Sequence, residues 1–592
     1  MRGDDGYASI GDYAVVGDGR TAALIAGDGS IDWLCLPDMD SPSVFAAILD
    51  AERGGSFSLQ PVEPFDATRR YVPGTNVLET TFRTGAGSVR LTDAMTLAVP
   101  GRLAPMREVV RKIECLDGAV AVEWAVEPRF DYASREGEVS VRDGRVFFTH
   151  RVHALVLSVW GAETVSAGRA RLSAGEQIVF SLSSAHHRAA VLPSRADTEH
   201  RLAHTLSFWR DWGQRAEYEG PWREAVLRSA LALRLLVFAP SGAIAAAPTT
   251  SLPEKIGGGR NWDYRYAWLR DASYTLDALV ALGYHDEAHA FFWWFMHASR
   301  LSRPRLEVLY RVNGANRAPE RELEQLAGHR GSRPVRIGNA AGRQVQLDIY
   351  GSVLDSIWLH ARTHGDLGAE TGRGIAKIAD YVSDAWPQPD SGIWEVRSDP
   401  THFVQSKAMC WAALDRACRL AEAGFVPDRR AKWRNAAEAT RAWIEEHGWD
   451  EALRSYIRAP ELRELDASVL TLALVEYEAE HGRLNSTIDA VRERLGAGPL
   501  LYRYLGEDGL PRGEGAFTTC SFWLVDALAR VGRVEEAAGL MDELVPLATD
   551  VGLFAEEIDP STGEHLGNFP QGLVHLALIN AAVSIAKAEG RQ

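Results

Sequence analysis

The amino-acid sequence predicts two domains, an N-terminal antiparallel β-sandwich followed by an (α/α)6 barrel. The chain has 592 residues, which is too many for one ordinary hydrophobic core. Residues 1–205 contain short apolar runs separated by glycine-rich turns, whereas from about residue 220 the apolar residues recur at helical spacing. We therefore predict a β-domain at 1–205, a linker at 206–220 and a helical barrel domain at 221–592.

Short alternating runs define the strands of the predicted β-domain. Turn signals such as Gly17-Asp-Gly19, Gly27-Asp-Gly29 and Asp143-Gly144 separate these runs. Many short strands without a helical period are typical of a sandwich. The predicted strands are at 22–25, 30–35, 77–82, 89–92, 119–126, 139–141, 146–148 and 177–182.

Apolar periodicity predicts the helices of the second domain. Val226, Ala230, Leu233 and Val237, for example, fall on one helix face. The predicted helices are at 221–238, 268–282, 285–300, 349–364, 367–385, 401–423, 427–447, 467–481, 485–495, 516–531, 533–546 and 570–588.

Glycines indicate how these helices are arranged. A helix end and the start of the next helix almost coincide at Gly283, Gly365, Gly424, Gly482 and Gly532, and glycine readily adopts the left-handed helix cap. The other connections are long and rich in Trp, Tyr, Arg, Asp and Glu. Short turns at one end and long loops at the other predict helical hairpins in a ring. The polar loops should then open together at one mouth.

Composition and charge exclude several classes of function. A net charge of −16 argues against binding a nucleic-acid backbone, which needs a basic face. No apolar run approaches about 18 residues, so we predict no membrane span. The N-terminus lacks a basic-then-apolar export signal, so we expect a cytoplasmic location. The five cysteines are scattered without a CxxC pair, which predicts buried reduced thiols rather than disulfides or a zinc ribbon.

The first long loop carries a charged pair at the start of a helix. It reads Gly257-Gly-Gly-Arg-Asn-Trp-Asp-Tyr-Arg-Tyr-Ala-Trp-Leu-Arg-Asp271. Arg270 and Asp271 offer the donor and acceptor that adjacent sugar hydroxyls require. Trp268 offers an indole face for a sugar ring, although any single tryptophan is more often a core residue. The alternative is a salt-bridged helix cap.

The second long loop, Ser391-Gly-Ile-Trp-Glu-Val-Arg397, places Glu395 between Trp394 and Val396. Apolar surroundings disfavour a charged carboxylate, and a general acid must keep its proton near neutral pH. Glu395 is therefore a candidate acid, and Trp394 is a candidate sugar contact. The alternative is a surface glutamate paired with Arg397.

The third long loop, Gly552-Leu-Phe-Ala-Glu-Glu-Ile-Asp-Pro560, contains adjacent carboxylates at Glu556 and Glu557. Both cannot point inward in the same local conformation. One would activate water in the mouth and the other would form a structural hydrogen bond, and the residues alone leave open which is which. A solvated acidic loop is the alternative.

Three weaker candidates remain. Asp348 is either a sugar contact or a helix N-cap. Glu514 is either a site residue or, as we favour, a partner of a helix N-terminus. His285 and His289 lie one turn apart, but the HExxH motif is absent, so a surface pair is favoured over a metal site. The chemistry requires no metal or cofactor.

These loops together resemble glycoside hydrolase family 15, which includes glucoamylases, glucodextranases and bacterial trehalases. The resemblance covers nearly the whole chain, and many long motifs in the same order make it specific. The motifs are Gly29-Ser-Ile-Asp-Trp-Leu-Cys35, Asp40-Ser-Pro42, Arg260-Asn-Trp-Asp-Tyr-Arg-Tyr266, Trp268-Leu-Arg-Asp271, Gly392-Ile-Trp-Glu395, Phe403-Val-Gln-Ser-Lys407 and Gly567-Asn-Phe-Pro-Gln571.

The resemblance implies roles for particular residues. It implies that Glu395 is the general acid, that Glu556 is the general base, and that Arg270 and Asp271 hold the non-reducing glucose. It also implies inversion of the anomeric carbon, for which the two carboxyls lie roughly 6.5–9.5 Å apart. Trp268, Trp394, Asp348 and Glu557 complete the predicted substrate-binding set.

The sequence leaves the substrate open. Our main hypothesis is an exo-acting α-glucosidase of the glucoamylase type, and the alternative is an α,α-trehalase. A glycoside phosphorylase or a non-catalytic sugar-binding protein is less favoured, because the chain retains both carboxylates. The segment Pro37-Asp-Met-Asp40 lacks the basic and aromatic residues that many relatives carry, which leaves the aglycone site in question.

Overall fold

The computed structural model describes residues 2–99, 107–187, 189–365, 367–480, 482–509 and 513–591. An antiparallel sheet domain is followed by a helical domain, so the predicted fold class is confirmed. The strands of the first domain are β1 (Ala14–Gly17), β2 (Ala22–Ile25), β3 (Ile31–Cys35), β4 (Ser43–Phe45), β5 (Phe57–Pro61), β6 (Phe65–Tyr71), β7 (Leu78–Thr84), β8 (Gly87–Met95), β9 (Arg107–Val126), β10 (Arg135–Glu136), β11 (Glu138–Arg142), β12 (Arg145–His150), β13 (His153–Trp160), β14 (Ala167–Ser173) and β15 (Gln177–His186). A single turn, α1 (Phe130–Ala133), precedes β10.

The long strand β9 folds the sheet into two layers. The main strand order is β1-β2-β3-β5-β9-β15-β13-β12-β11. Residues 119–126 of β9 pair with β5 and β14, whereas residues 107–118 pair with β8 and β15. Strands β1 and β5 pack on β7 and β8 across the layers. Between the layers, the buried Arg111 forms an ion pair with Asp93 at 2.8 Å and donates to the carbonyl of Phe57.

A helix crosses the predicted end of the β-domain. This helix, α2 (Arg195–Gln214), lies where we predicted β structure up to residue 205 and a linker from 206. The helix was not predicted, because the buried face of α2 includes Thr198, Arg201 and Thr205 beside two tryptophans and its apolar periodicity is therefore weak. The division of the chain at 205 and 220 stays a prediction.

All twelve predicted helices of the second domain are present. They are α3 (Arg223–Leu236), α4 (Ala272–Ala281), α5 (His285–Ala298), α6 (Ile349–His364), α7 (Ala369–Ala385), α8 (Val404–Glu422), α9 (Arg430–His447), α10 (Thr471–Leu474), α11 (Arg483–Leu495), α12 (Thr518–Arg530), α13 (Val534–Leu544) and α14 (Gly572–Ala588).

Helix α10 is much shorter than the predicted 467–481. A 3-10 turn at Ala467–Leu470 leads into it. It stops early because Glu476 has a φ of 58°, which a right-handed helix does not accommodate. The last predicted residue, His481, lies outside the described residues.

Six helices form a closed inner ring. Helices α4, α6, α8, α10, α12 and α14 each contact the next, and α14 contacts α4. The other six, α3, α5, α7, α9, α11 and α13, pack around them. The five predicted glycine turns join inner to outer helices, with φ between 80° and 84°, as expected for hairpins.

The long loops between these hairpins contain short strand pairs. They are β16 (Val237–Phe238), β17 (Ala243–Ile244), β18 (Thr250–Pro253), β19 (Asn261–Asp263), β20 (Ala267–Trp268), β21 (Leu309–Tyr310), β22 (Arg321–Glu322), β23 (Arg336–Ile337), β24 (Trp449–Asp450), β25 (Ser455–Tyr456), β26 (Gly496–Ala497), β27 (Leu500–Leu501), β28 (Ala516–Phe517), β29 (Glu557–Ile558) and β30 (His565–Leu566). Short 3-10 turns also occur at Ile10–Asp12, Ser299–Leu301, His329–Gly331, Ala340–Arg343 and Val545–Leu547.

The β-domain contacts the loops of the barrel directly. Trp33 donates through Nε1 to the carbonyl of Pro248 at 2.8 Å. Asp40 forms an ion pair with Arg311 at 2.7 Å. The segment around Asp40 therefore supports the barrel loops.

The structure tests two predictions made from composition, the state of the cysteines and the absence of a membrane-spanning helix. All five cysteines are buried and unpaired in disulfides, as predicted. No helix in the described part of the chain combines the length and apolar character that a membrane crossing demands.

Candidate active site

A cavity of about 780 Å³, counting its open mouth, lies among the long loops at one end of the ring. The first predicted loop contributes Tyr264, Trp268, Arg270 and Asp271 to its wall, and the second contributes Trp394 and Glu395. All lining residues lie between Ala246 and Leu573, so the segment Pro37–Asp40 of the β-domain forms no part of this wall.

Glu395 is held firmly at the cavity wall. Its Oε1 accepts a hydrogen bond from Trp268 Nε1 at 2.6 Å and lies 3.4 Å from Arg270 Nη1. Its backbone is left-handed, with a φ of 58°. Such a conformation costs a non-glycine residue roughly 1–3 kcal/mol and is concentrated at functional sites. The contacts of this loop must offset that cost.

Gly392 makes the turn of this loop possible. Its φ is 65°, and a Cβ at this position would lie 2.7 Å from the ring of Phe403. Only glycine fits that approach without displacing the ring. The backbone of Glu395 is also fixed by Gln344, which donates through Nε2 to its carbonyl at 3.1 Å.

Glu556 lies on the third loop and is almost fully buried, with 1% of its surface exposed. Its Oε1 accepts a hydrogen bond from the Tyr264 hydroxyl at 2.7 Å. Gly567 packs so closely that a Cβ there would lie 2.5 Å from Glu556 Oε2. Glu556 adjoins the cavity through Tyr264, which forms part of the wall.

Tyr264 and Trp268 connect the two carboxyls. Their rings pack edge to face with centroids 5.4 Å apart, and each binds one of the two glutamates. Burial raises the pKa of Tyr264, and the charges of Glu556 and Glu395 both add to the rise. Both carboxyls therefore lie within electrostatic reach of one hydroxyl.

Arg270 and Asp271 form the predicted charged pair on the cavity wall. Arg270 Nε lies 3.3 Å from Asp271 Oδ1, and Arg270 Nη1 donates to the carbonyl of Ile393 at 2.6 Å. Asp271 directly precedes α4, so the ion pair lies at the helix start as the salt-bridged alternative expects, but its side chain makes no cap hydrogen bond. Burial raises the pKa of Asp271, and Arg270 opposes the rise.

A buried arginine–carboxylate cluster, consisting of Arg503, Glu254, Glu514, Glu557 and Arg260, adjoins the cavity. Arg503 Nη2 lies 2.8 Å from Glu254, 2.7 Å from Glu514 and 3.4 Å from Glu557. Arg260 Nη1 lies 3.0 Å from Glu514. The cluster holds more carboxylates than arginines, so its field disfavours further negative charge nearby.

Burial and the charge of Glu254 in this cluster both raise the pKa of Glu556. Burial raises its pKa to about 8, the charge of Glu254 is the next cause, and the hydrogen bond from Tyr264 opposes the rise. A carboxylate with a raised pKa is a stronger base, but it becomes protonated as the pH falls. The buried carboxyl of Glu556, with its raised pKa, therefore lies beside the cavity. The carboxyl of Glu395 lies on the other side of the Tyr264–Trp268 pair.

Sequence comparison identifies the family of the helical domain. A family model described as Glycosyl hydrolases family 15 matches residues 220–583. The chain belongs to glycoside hydrolase family 15. A second model, described as Trehalase-like, N-terminal, matches residues 2–168.

Relatives in family 15 match along the whole chain. A trehalase of Mycolicibacterium smegmatis is 39% identical over 98% of this chain and 92% of its own length. A trehalase of Thermoplasma acidophilum is 34% identical over 95% of this chain and 98% of its own. A bacterial glucoamylase solved with acarbose shares the fold, with a TM-score of 0.71 at 12% identity, covering 100% of this chain and 96% of its own. The chain is a glycoside hydrolase.

The structure brings five of the eight predicted site residues of this family 15 enzyme to the cavity wall. They are Glu395, Arg270, Asp271, Trp268 and Trp394. Arg397 forms its ion pair with Glu320 at 2.8 Å, so the alternative in which it pairs with Glu395 is wrong.

Two predicted substrate contacts lie elsewhere. Glu557 Oε2 accepts from the backbone N–H of Gly515 at 2.8 Å, away from the wall, because successive side chains of an extended segment point in opposite directions. Asp348 is buried and makes no cap hydrogen bond, so the N-cap alternative is also wrong. Burial raises the pKa of Asp348 to about 7 against the effect of Arg270.

Sequence reasoning missed Tyr264, Glu254 and Arg503. Tyr264 lies inside a quoted motif, but its partner Glu556 is 292 positions away. Glu254 and Arg503 are 249 positions apart. Glu514, for which a helix-terminus role was favoured, belongs instead to the arginine–carboxylate cluster. No local pattern signals these long-range pairs.

The segment 303–343, which is polar and contains Gly and Pro, also contributes to the site. Asn339 and Ala341 line the cavity, and so does Gln344 just beyond the segment. Asn339 Oδ1 accepts from the backbone N–H of Ala341, which forms a cap on a 3-10 turn. This segment has neither an apolar period nor a recognisable motif, so its place at the wall was not predicted.

Proposed function

We propose that this enzyme is an α,α-trehalase that hydrolyses trehalose to two glucose molecules with inversion. Full-length similarity to proteins named trehalase carries this proposal, because it includes the β-domain as well as the barrel. The likeness to glucoamylase is structural and supports the fold alone. The alternative in our sequence analysis is therefore preferred over the main hypothesis of a glucoamylase-type enzyme.

In the proposed mechanism, one glucose ring binds at Arg270 and Asp271. Glu395 donates a proton to the glycosidic oxygen as the bond to the anomeric carbon breaks. Because Glu395 Oε1 already accepts from Trp268, the proton to be donated sits on Oε2. The leaving glucose takes that proton and departs as a neutral sugar.

Glu556 activates the attacking water in the same step. It removes one proton as the water oxygen bonds to the anomeric carbon from the opposite face. Tyr264 positions the carboxylate through its hydrogen bond to Oε1. The net reaction consumes one water, and both carboxyls regain their starting protonation by proton exchange with solvent. Inversion requires room for the water, and the separation of roughly 6.5–9.5 Å between the carboxyls stays a prediction.

Substrate choice tests this proposal. We expect glucose release from trehalose to exceed release from maltose, isomaltose and dextrin, measured as kcat/KM with each sugar. Faster release from maltose or dextrin would favour the glucoamylase-type alternative. Each assay is repeated with added phosphate, and formation of glucose 1-phosphate in place of one of the two glucose molecules of a disaccharide would identify a phosphorylase. Cytoplasmic location stays a prediction.

Tyr264→Phe should move the acidic limb of the kcat/KM profile to higher pH. Glu556 must be deprotonated to act as a base, and the hydroxyl of Tyr264 lowers the pKa of Glu556 by stabilising its charged form. Without that hydroxyl the pKa rises, so activity is lost at a higher pH as the solution is acidified. The measurement is kcat/KM for trehalose against pH.

Glu254→Gln is the matched variant for this experiment. The charge of Glu254 raises the pKa of Glu556, so its removal should lower that pKa and move the limb to lower pH. Opposite shifts in the two variants support Glu556 as the titrating base. Shifts in the same direction would contradict it.

A further inference from the structure

Four histidines meet where the outer helix α5 packs on the inner helix α6, far from the cavity. His285 and His289 lie one turn apart at the start of α5, and His360 and His364 lie one turn apart at the end of α6. The two helices pack together. Helix α6 has 16 residues and starts next to Asp348, which faces the charges of the site. At about 1.5 Å per residue, His360 lies about 18 Å and His364 about 24 Å along the helix from Asp348.

Three of these rings point at a common place. His289, His360 and His364 each offer a ring nitrogen, and the three nitrogens lie within 4.8 Å of one another. The ring centroids of His289 lie 5.5 Å from His360 and 5.7 Å from His364. His285 is adjacent, with its ring 6.2 Å from that of His364.

His360 is the fixed member of this group. It is 3% exposed, and its ring stacks on Phe292 with centroids 3.6 Å apart. Among the described residues, no hydrogen bond to the ring nitrogens of His360 is found, so a ring nitrogen is available to a ligand. A neutral imidazole held in this way is a common metal ligand.

We infer that His289, His360 and His364 form a binding site for a divalent transition-metal ion such as Zn²⁺, which would fasten α5 to α6. Imidazole nitrogen suits Zn²⁺, Ni²⁺ and Cu²⁺, whereas Mg²⁺ prefers oxygen ligands. Zinc–nitrogen bonds are roughly 2.0–2.1 Å long, so the two exposed rings must turn slightly toward His360. Water or His285 completes the coordination.

The sequence contains this site as two HxxxH pairs on separate helices. From the sequence alone, the first pair, His285 and His289, is expected to be a surface pair. The second pair lies 75 positions further along the chain, and the hairpin geometry of the barrel brings it alongside. The net charge of −16 also favours cation binding. The site is separate from the proposed hydrolysis, which requires no metal.

The test uses the full-length protein after treatment with a chelator. We expect calorimetric titration to show one Zn²⁺ bound per chain, a rise in Tm with Zn²⁺ and none with Mg²⁺. Co²⁺ should develop visible absorption bands that report imidazole coordination. A protein that binds no Zn²⁺, or that responds equally to Mg²⁺, would overturn the inference.

Two variants locate the site. The double variant His289→Ala and His364→Ala removes exposed rings and should lose both the bound Zn²⁺ and the Tm rise. His297→Ala removes another exposed histidine of α5 outside the group, and it should keep both. Unchanged Zn²⁺ binding in the double variant would overturn the inference.

Trehalose hydrolysis should proceed at the same rate in the double variant and in the metal-free protein, and a loss of rate in either would contradict a site separate from catalysis.

Discussion

Glu395→Gln should lower kcat for trehalose by roughly 10²–10⁴-fold, the range that general acid catalysis contributes. Glutamine keeps the size of the side chain and can still accept from Trp268, so the loop with its left-handed residue should remain folded. It has no carboxyl proton to give to the glycosidic oxygen. The measurements are kcat and KM for trehalose, with circular dichroism to verify the fold.

A substrate with a better leaving group separates this role from a general loss of function. Fluoride departs from α-glucosyl fluoride with little help from an acid, so Glu395→Gln should retain far more activity on this substrate than on trehalose. An equal loss on both substrates would show that Glu395 does not act as the acid.

Glu556→Gln should lower kcat by roughly 10²–10⁴-fold on trehalose and on α-glucosyl fluoride alike. Both substrates need an activated water, and a glutamine at this position cannot remove its proton. The hydrogen bond from Tyr264 has an acceptor in the variant, which limits structural change. Steady-state rates on the two substrates distinguish this pattern from that of Glu395→Gln.

Glu557→Gln is the neighbouring control. Glu557 accepts from the backbone of Gly515 and faces Arg503, so its replacement should lower Tm more than it lowers kcat. If the large loss of kcat fell on Glu557→Gln and not on Glu556→Gln, the assignment of the base would be reversed.

The ring of helices was predictable because its signals are local. Each hairpin turn depends on one glycine in a left-handed conformation, and each helix shows its own period of apolar residues. Helix α2 was not predicted because its buried face carries threonine and arginine, which weaken the apolar period. Helix α10 was predicted too long because nothing in the sequence marks the left-handed Glu476.

The residues of the candidate site also differ in whether the sequence alone could predict them. Glu395, Arg270 and Asp271 stood out because they end polar motifs in loops of the predicted mouth. The choice between Glu556 and Glu557 depends on which side of an extended segment faces the cavity, and the residues alone do not give that orientation. Tyr264, Glu254 and Arg503 act through partners far along the chain, so only the assembled barrel reveals them.

The anomeric form of the first glucose released from trehalose tests the central claim most directly. Both rings of trehalose are α-linked, so inversion releases one β-glucose from the attacked ring and one α-glucose as the leaving group. Proton NMR, recorded before the anomers interconvert, should therefore show equal amounts of α- and β-glucose. Release of α-glucose alone would mean retention, and it would contradict a mechanism in which Glu556 directs water to the face opposite Glu395.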